Sequence, residues 1–216
     1  MDLSQAFIHG VNHTTSYSRT ISHYHQGDNI GAAQNWDFCL NIGAHDAEIH
    51  DNVMSNCGVG VSVRRTGFYY YYNSVSDRAN YWGADDSEIT NNEFIDTELI
   101  DIWFMLNSYS DDVLIQNNVF KGSTTPSYGV YTQDATSTGL VIDANTFMNS
   151  DEAIYMRGAL DWEITDNTIY GSADSSQAGI YVKDGYGLID GNNVMDADGG
   201  ILVDGVKFGQ TAKVTN

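Results

Sequence analysis

Arg157 and Lys183 each follow a tyrosine by two residues, in Tyr155-Met156-Arg157 and Tyr181-Val182-Lys183. In an extended strand, residues i and i+2 share a face, so each pair sets a ring beside a cation. That pairing suits a sugar bearing a carboxylate or sulfate: the ring packs on its apolar side and the cation meets the acid. Trp103 and Tyr131 occupy matching places in Asp101-Ile102-Trp103-Phe104 and Gly129-Val130-Tyr131-Thr132, and Arg64 follows Gly60-Val61-Ser62-Val63. Arg64, Arg157 and Lys183 are three of only nine Lys and Arg residues. Trp103, Tyr131, Tyr155, Tyr181 and Arg64 are therefore candidate substrate-binding residues. The same rings would also stabilise a sheet by stacking on one another.

Two other groups could hold a metal. All six histidines fall within the first fifty residues, and His23-Tyr24-His25 sets two imidazoles on one strand face, a donor pair for a transition metal. Polar coil turns are the simpler use of such residues. Asp46, Asp86, Asp112 and Asp161 each stand three residues before an Ile, with Gly139 interrupting the series. Stacked carboxylates repel unless solvated or bridged by a cation, and calcium takes such oxygen clusters.

The elements that position these residues come from a recurring phrase: Ile, two residues, Asn, one residue, then a large apolar side chain. It runs through Ile49…Asn52…Met54, Ile89…Asn92…Phe94, Ile115…Asn118…Phe120, Ile142…Asn145…Phe147, Ile164…Asn167…Ile169 and Ile189…Asn192…Val194. Its Asn residues are 40, 26, 27, 22 and 25 positions apart. Short period-two runs that recur every twenty to thirty residues are the mark of a solenoid with strands stacked coil on coil. The recurring Asn fits a tight bend, where its amide satisfies turn backbone and the Asn of the next coil. Asn52, Asn92, Asn118, Asn145, Asn167 and Asn192 are read as a structural ladder, not as catalysts.

These Asn-x-Phe and Gly-Ile-x-Val rungs resemble the parallel β-helix repeat of the pectate-lyase-like superfamily, over roughly residues 30 to 205. The resemblance implies an all-β, single-stranded right-handed parallel β-helix of about seven to eight coils. It also implies an extracellular or cell-surface protein and a groove along an outward strand face. Polysaccharide lyases of this kind use Arg or Lys as base with calcium on the substrate's carboxylate. On that resemblance Arg157 and Lys183 are catalytic candidates, with Asp134 and Asp184 as acidic neighbours, and Ca2+ is the cofactor implied. Asp46, Asp86, Asp112, His23 and His25 are the metal candidates. The His-x-His element ahead of Cys39 is similar to β-helix hyaluronan-degrading proteins.

Residues 1–216 read as one domain, carrying an aromatic insertion at about 64–84 that starts Arg64-Arg65-Thr66-Gly67-Phe68-Tyr69 and explains the 40-residue spacing. The irregular start and the lack of obvious end caps suit a piece of a longer protein, or one whose ends pair with a neighbouring domain or protomer. A net charge of −20 argues against a phosphate-neutralising nucleic-acid surface. No stretch reads as a membrane span or signal peptide, and Cys39 and Cys57 form no recognisable motif. The expected function is binding or processing of acidic polysaccharide. The alternatives are a non-catalytic adhesin or surface-layer element, and a metal-dependent glycan-cleaving enzyme built on the histidines.

Overall fold

The computed structural model describes residues 38–42, 47–55, 58–63, 84–97, 99–104, 110–122, 128–132, 137–171, 178–205 and 211–215. Three parallel sheets run the length of the solenoid. The isoleucine sheet stacks β2 (Glu48–His50), β5 (Glu88–Thr90), β8 (Leu114–Gln116), β11 (Val141–Asp143), β14 (Leu160–Thr165), β17 (Tyr186–Asp190) and β20 (Ala212–Val214). The phenylalanine sheet stacks β3 (Val53–Ser55), β6 (Glu93–Ile95), β9 (Val119–Lys121), β12 (Thr146–Ser150), β15 (Thr168–Gly171) and β18 (Asn193–Met195). The tyrosine sheet stacks β1 (Phe38–Ile42), β4 (Val59–Val63), β7 (Ile100–Phe104), β10 (Tyr128–Thr132), β13 (Glu152–Arg157), β16 (Ile180–Lys183) and β19 (Ile201–Asp204). Each coil visits the sheets in that order, and the protein is a parallel β-helix of the right-handed type that parallel crossovers favour. The expected insertion at 64–84, all but Ala84, lies outside the described residues.

The repeat phrase builds the core. Its Ile residues form one inward column, Ile49, Ile89, Ile115, Ile142, Ile164 and Ile189, each fully buried. Its large apolar residues form a second, in which Phe94, Phe120 and Phe147 stack with ring centroids 4.9 and 4.5 Å apart. The tyrosine sheet adds a third column, including Val61, Ile102, Val130, Ile154 and Ile180. Burying each such side chain stabilises the fold by about 1.5–3 kcal/mol.

The asparagines tie successive coils together. Asn118 Nδ2 donates to Asn145 Oδ1 at 3.1 Å and to the carbonyl of Ile89, one coil back, at 2.7 Å. The Asn118 N–H donates to the same Asn145 oxygen at 2.9 Å. The arrangement repeats from Asn52 through Asn92, Asn118, Asn145 and Asn167 to Asn192. The residue before each of these Asn adopts a left-handed conformation: Asp51, Asn91, Asn117, Ala144, Asp166 and Gly191, with φ from 51° to 65°. Asp, Asn and Gly tolerate that region best; Ala144 alone lacks such a reason.

Candidate functional site

The outward column of the tyrosine sheet is in register. Ser62, Trp103, Tyr131, Tyr155, Tyr181 and Leu202 pair in sequence from one coil to the next. The rings touch: Tyr131 stacks on Tyr155 at 4.8 Å, and Tyr155 meets Tyr181 edge-on at 5.3 Å. Tyr131, Tyr155 and Tyr181 are half-buried, so each offers part of its ring to solvent. Trp103 departs from the expectation of a displayed ring. It is only 7% exposed and packs with Val59 and Ile100 in a small cluster outside the main core, against which Tyr128 and Tyr131 lie. Trp103 thus supports the stack from below, and the accessible column runs from Tyr131 to Leu202, which is 48% exposed.

Arg157 and Lys183 are paired across neighbouring coils and half-buried, with Asp204 next in the column. Arg157 stands close enough to Tyr155 that its charge partly offsets the burial that raises that hydroxyl. Burial is the larger influence on that hydroxyl and holds its pKa above the ordinary value. Asp184 is exposed, in a left-handed turn directly after β16 (φ 55°), and its N–H donates to the carbonyl of Asp204 at 3.0 Å. Its residue type is accounted for by that backbone conformation.

The same explanation covers the acidic column. Asp86, Asp112, Gly139 and Asp161 all have positive φ, between 52° and 66°. Gly139 therefore continues the column in backbone terms although it lacks a carboxylate. Asp86 and Asp112 are exposed, with N–H groups donating to the carbonyls of Asp111 and Thr138, one coil on. Arg64, Asp134, Asp46, His23 and His25 lie outside the described residues.

Two acids and one further tyrosine belong to the face and escape the period-two reading. Tyr128 pairs with Glu152 across coils, and its ring lies 4.8 Å from Tyr131 and 6.2 Å from Tyr155. Glu152 is only 4% exposed. Burial, reinforced by the neighbouring Asp151 charge, pushes its carboxyl up to about 7. Burial raises Asp151 as well, and Tyr128 is raised by burial and then by Glu152. Strict alternation from Ile154 would place Glu152 inward. The strand instead turns at Ala153, so that Ala153 and Ile154 both enter the core and residue 152 joins the outer face. The small residues Gly60, Gly129 and Ala153 at this step are the signal that could have revealed it. A β-carbon on Gly129 would sit 2.5 Å from the Phe147 ring.

Among the described residues no three His, Cys, Asp or Glu side chains gather as a metal site. His50 is the one histidine among them, and its Nδ1 pairs with Asp51 at 2.9 Å. Nor is any described helix long and apolar enough to cross a membrane.

With this geometry in place, comparison with known proteins gives two findings. The family model described as "Periplasmic copper-binding protein (NosD)" matches residues 12–196. Among solved structures, the Streptococcus pneumoniae surface protein and adhesin PfbA is similar at a TM-score of 0.42 and 12% identity, over 79% of this chain and 49% of that one. The chain thus spans about half the length of that protein. No curated protein matches.

Proposed function

We propose that this chain, which belongs to the NosD family, works outside the cytoplasm as a β-helix domain that binds polysaccharide on its tyrosine sheet. The observation that carries this reading is the run of Tyr131, Tyr155 and Tyr181, half-exposed and in ring contact, beside the paired cations Arg157 and Lys183. Successive rings sit on successive coils, about 4.8 Å apart along the solenoid. A polymer lying along the axis would meet ring after ring, its apolar sugar faces on the tyrosines and its acidic groups against the basic column. Binding is the chemistry these residues perform. Lysis by Arg157 or Lys183 with Ca2+ is the further activity to assay on the same face.

The test is affinity electrophoresis and calorimetry with polygalacturonate and a neutral glucan, with and without calcium. The wild-type chain is expected to bind, and the Tyr155→Ala/Arg157→Ala double variant to lose at least ten-fold in affinity while remaining folded. A lyase would in addition release unsaturated products absorbing in the ultraviolet. Unchanged binding by a folded double variant would remove the face from the mechanism.

The family's description favours a second reading, in which the chain holds copper. The described residues do not assemble a copper donor set. Imidazole suits copper, so the His23-Tyr24-His25 element is the donor pair to test on the full chain. Copper titration followed by its visible absorption should show a site that His23→Ala/His25→Ala abolishes. A variant that binds as the wild type does would exclude the pair.

A further inference from the structure

The tyrosine face is chemically unequal along its strands. At one end Asp151 and Glu152 enter β13; at the other, Arg157 leaves it and pairs with Lys183. Five residues of extended chain separate Glu152 from Arg157, about 17 Å. Tyr128 stands level with Glu152, and a chain of ring contacts runs from it through Tyr131 and Tyr155 to Tyr181. The charge of Glu152 bears on both Tyr128 and Tyr155, which places its carboxylate within electrostatic reach of the rings at the centre of the stack.

Glu152 occupies an outward position that its register partners fill with apolar or aromatic groups. The column reads Val59, Ile100, Tyr128, Glu152. A carboxyl there, 4% exposed beside Tyr128, is held in surroundings that favour its neutral form. The titratable and charged groups on the same face are Tyr128 and Tyr131 from β10, Asp151 just before its own strand, Tyr155 and Arg157 within that strand, and Tyr181 and Lys183 from β16. Lys183 and Arg157 lie at the far end of the strands from Glu152.

We propose that Glu152 sets the charge selectivity of the tyrosine face. Neutral, it lets a uronate-bearing polysaccharide settle over Tyr128 and Tyr155. Ionised, it repels that polymer and leaves uncharged glycans unaffected. This role rests on glycan binding by the same face, and it names the residue that decides which glycans are retained. With the Glu152 carboxyl pushed up to about 7, the change falls between mildly acidic and mildly alkaline conditions. Two unit charges about 8 Å apart at an effective dielectric of about 40 change affinity about five-fold.

The experiment measures binding of polygalacturonate and of a neutral glucan to the full chain at pH 5.5 and 8.5 in low salt, where surface charge is least screened. The wild type should bind polygalacturonate about five-fold more weakly at pH 8.5, with flat glucan binding. Glu152→Gln should hold the pH 5.5 affinity at both values. An equal fall in Glu152→Gln would assign the effect to Asp151 or another group and overturn the proposal. Equal polygalacturonate affinity of the wild type at both pH values would overturn it while leaving glycan binding intact. No binding of either polymer at either pH would overturn both. Should Glu152→Gln fail to fold, the wild-type Glu152 carboxyl is followed by 13C NMR. Saturating polygalacturonate should raise its titration midpoint, and an unmoved midpoint counts against the proposal.

Discussion

Asp101 is a carboxyl that is costly to bury. It is fully buried at the step that other coils fill with Gly60, Gly129 and Ala153. Thr97 donates its hydroxyl to one carboxylate oxygen, and the other has no hydrogen-bond partner among the described residues. Burial pushes the carboxyl up from 3.8 to about 8, against the opposing pull of the Thr97 bond. The folded state therefore keeps a proton that the unfolded chain releases. Its contribution to stability is greatest below about pH 4, falls as pH rises towards 8, and levels above it. Glu152, raised to about 7, adds to the same slope over its lower part. Urea unfolding at pH 5 and pH 8.5 should show the wild type losing stability at the higher value. Asp101→Asn, which keeps an acceptor for Thr97, should recover about 2–4 kcal/mol at pH 8.5 and much less at pH 5. Equal slopes for the two proteins would mean that Asp101 is hydrated or paired in solution. The sequence did not expose this residue, because Asp101-Ile102-Trp103-Phe104 reads as an ordinary strand start with its acid on the polar side. Only the turn of the backbone at Gly60, Gly129 and Ala153 sends position 101 inward.

At the scale of the element, the Asn turn holds one coil on the next. Asn145 donates Nδ2 to the Ile115 carbonyl at 2.9 Å and to Asn167 Oδ1 at 3.0 Å, while its own oxygen accepts from the N–H and Nδ2 of Asn118. Every one of these bonds is buried. Truncation leaves several polar groups unpaired at about 1–3 kcal/mol each, partly relieved by relaxation. Asn145→Ala should cost about 3–5 kcal/mol in reversible denaturation. A loss under about 1 kcal/mol would show that water or a shifted turn replaces the ladder. This element was legible from the sequence because the ladder demands one residue type at one place in every coil. The tyrosine sheet was legible in part. Period two places Tyr131, Tyr155 and Tyr181 outward, but the buried state of Trp103 depends on what packs over it, which strand alternation does not encode. Tyr128 and Glu152 were hidden by the break in alternation beside them.

Across the whole molecule, charge and shape pull in different directions. A net charge of −20 repels polyanions at long range, yet salt reduces that field within about 10 Å at 0.1 M. A uronate polymer that reaches the tyrosine sheet then meets the local arrangement, not the total. The fold class could be read from the repeat because every rung repeats one solution to the same packing problem. The site could be read only as far as it follows the rungs. Its acidic end depends on a local bend, and its candidate metal donors stand in segments without the phrase.

The ladder also separates distance along the chain from distance in space. Asn52 reaches Asn92 across 40 residues with a 3.0 Å bond, and Asn145 reaches Asn167 across 22 with one of the same length. The closure is local to the turn, so a connection can almost double in length without altering the pitch of the coil beneath it. Such a scaffold accepts new segments at its corners while its strand faces keep their spacing. Loops can then be gained, exchanged or lost over generations against a fixed grid of side chains.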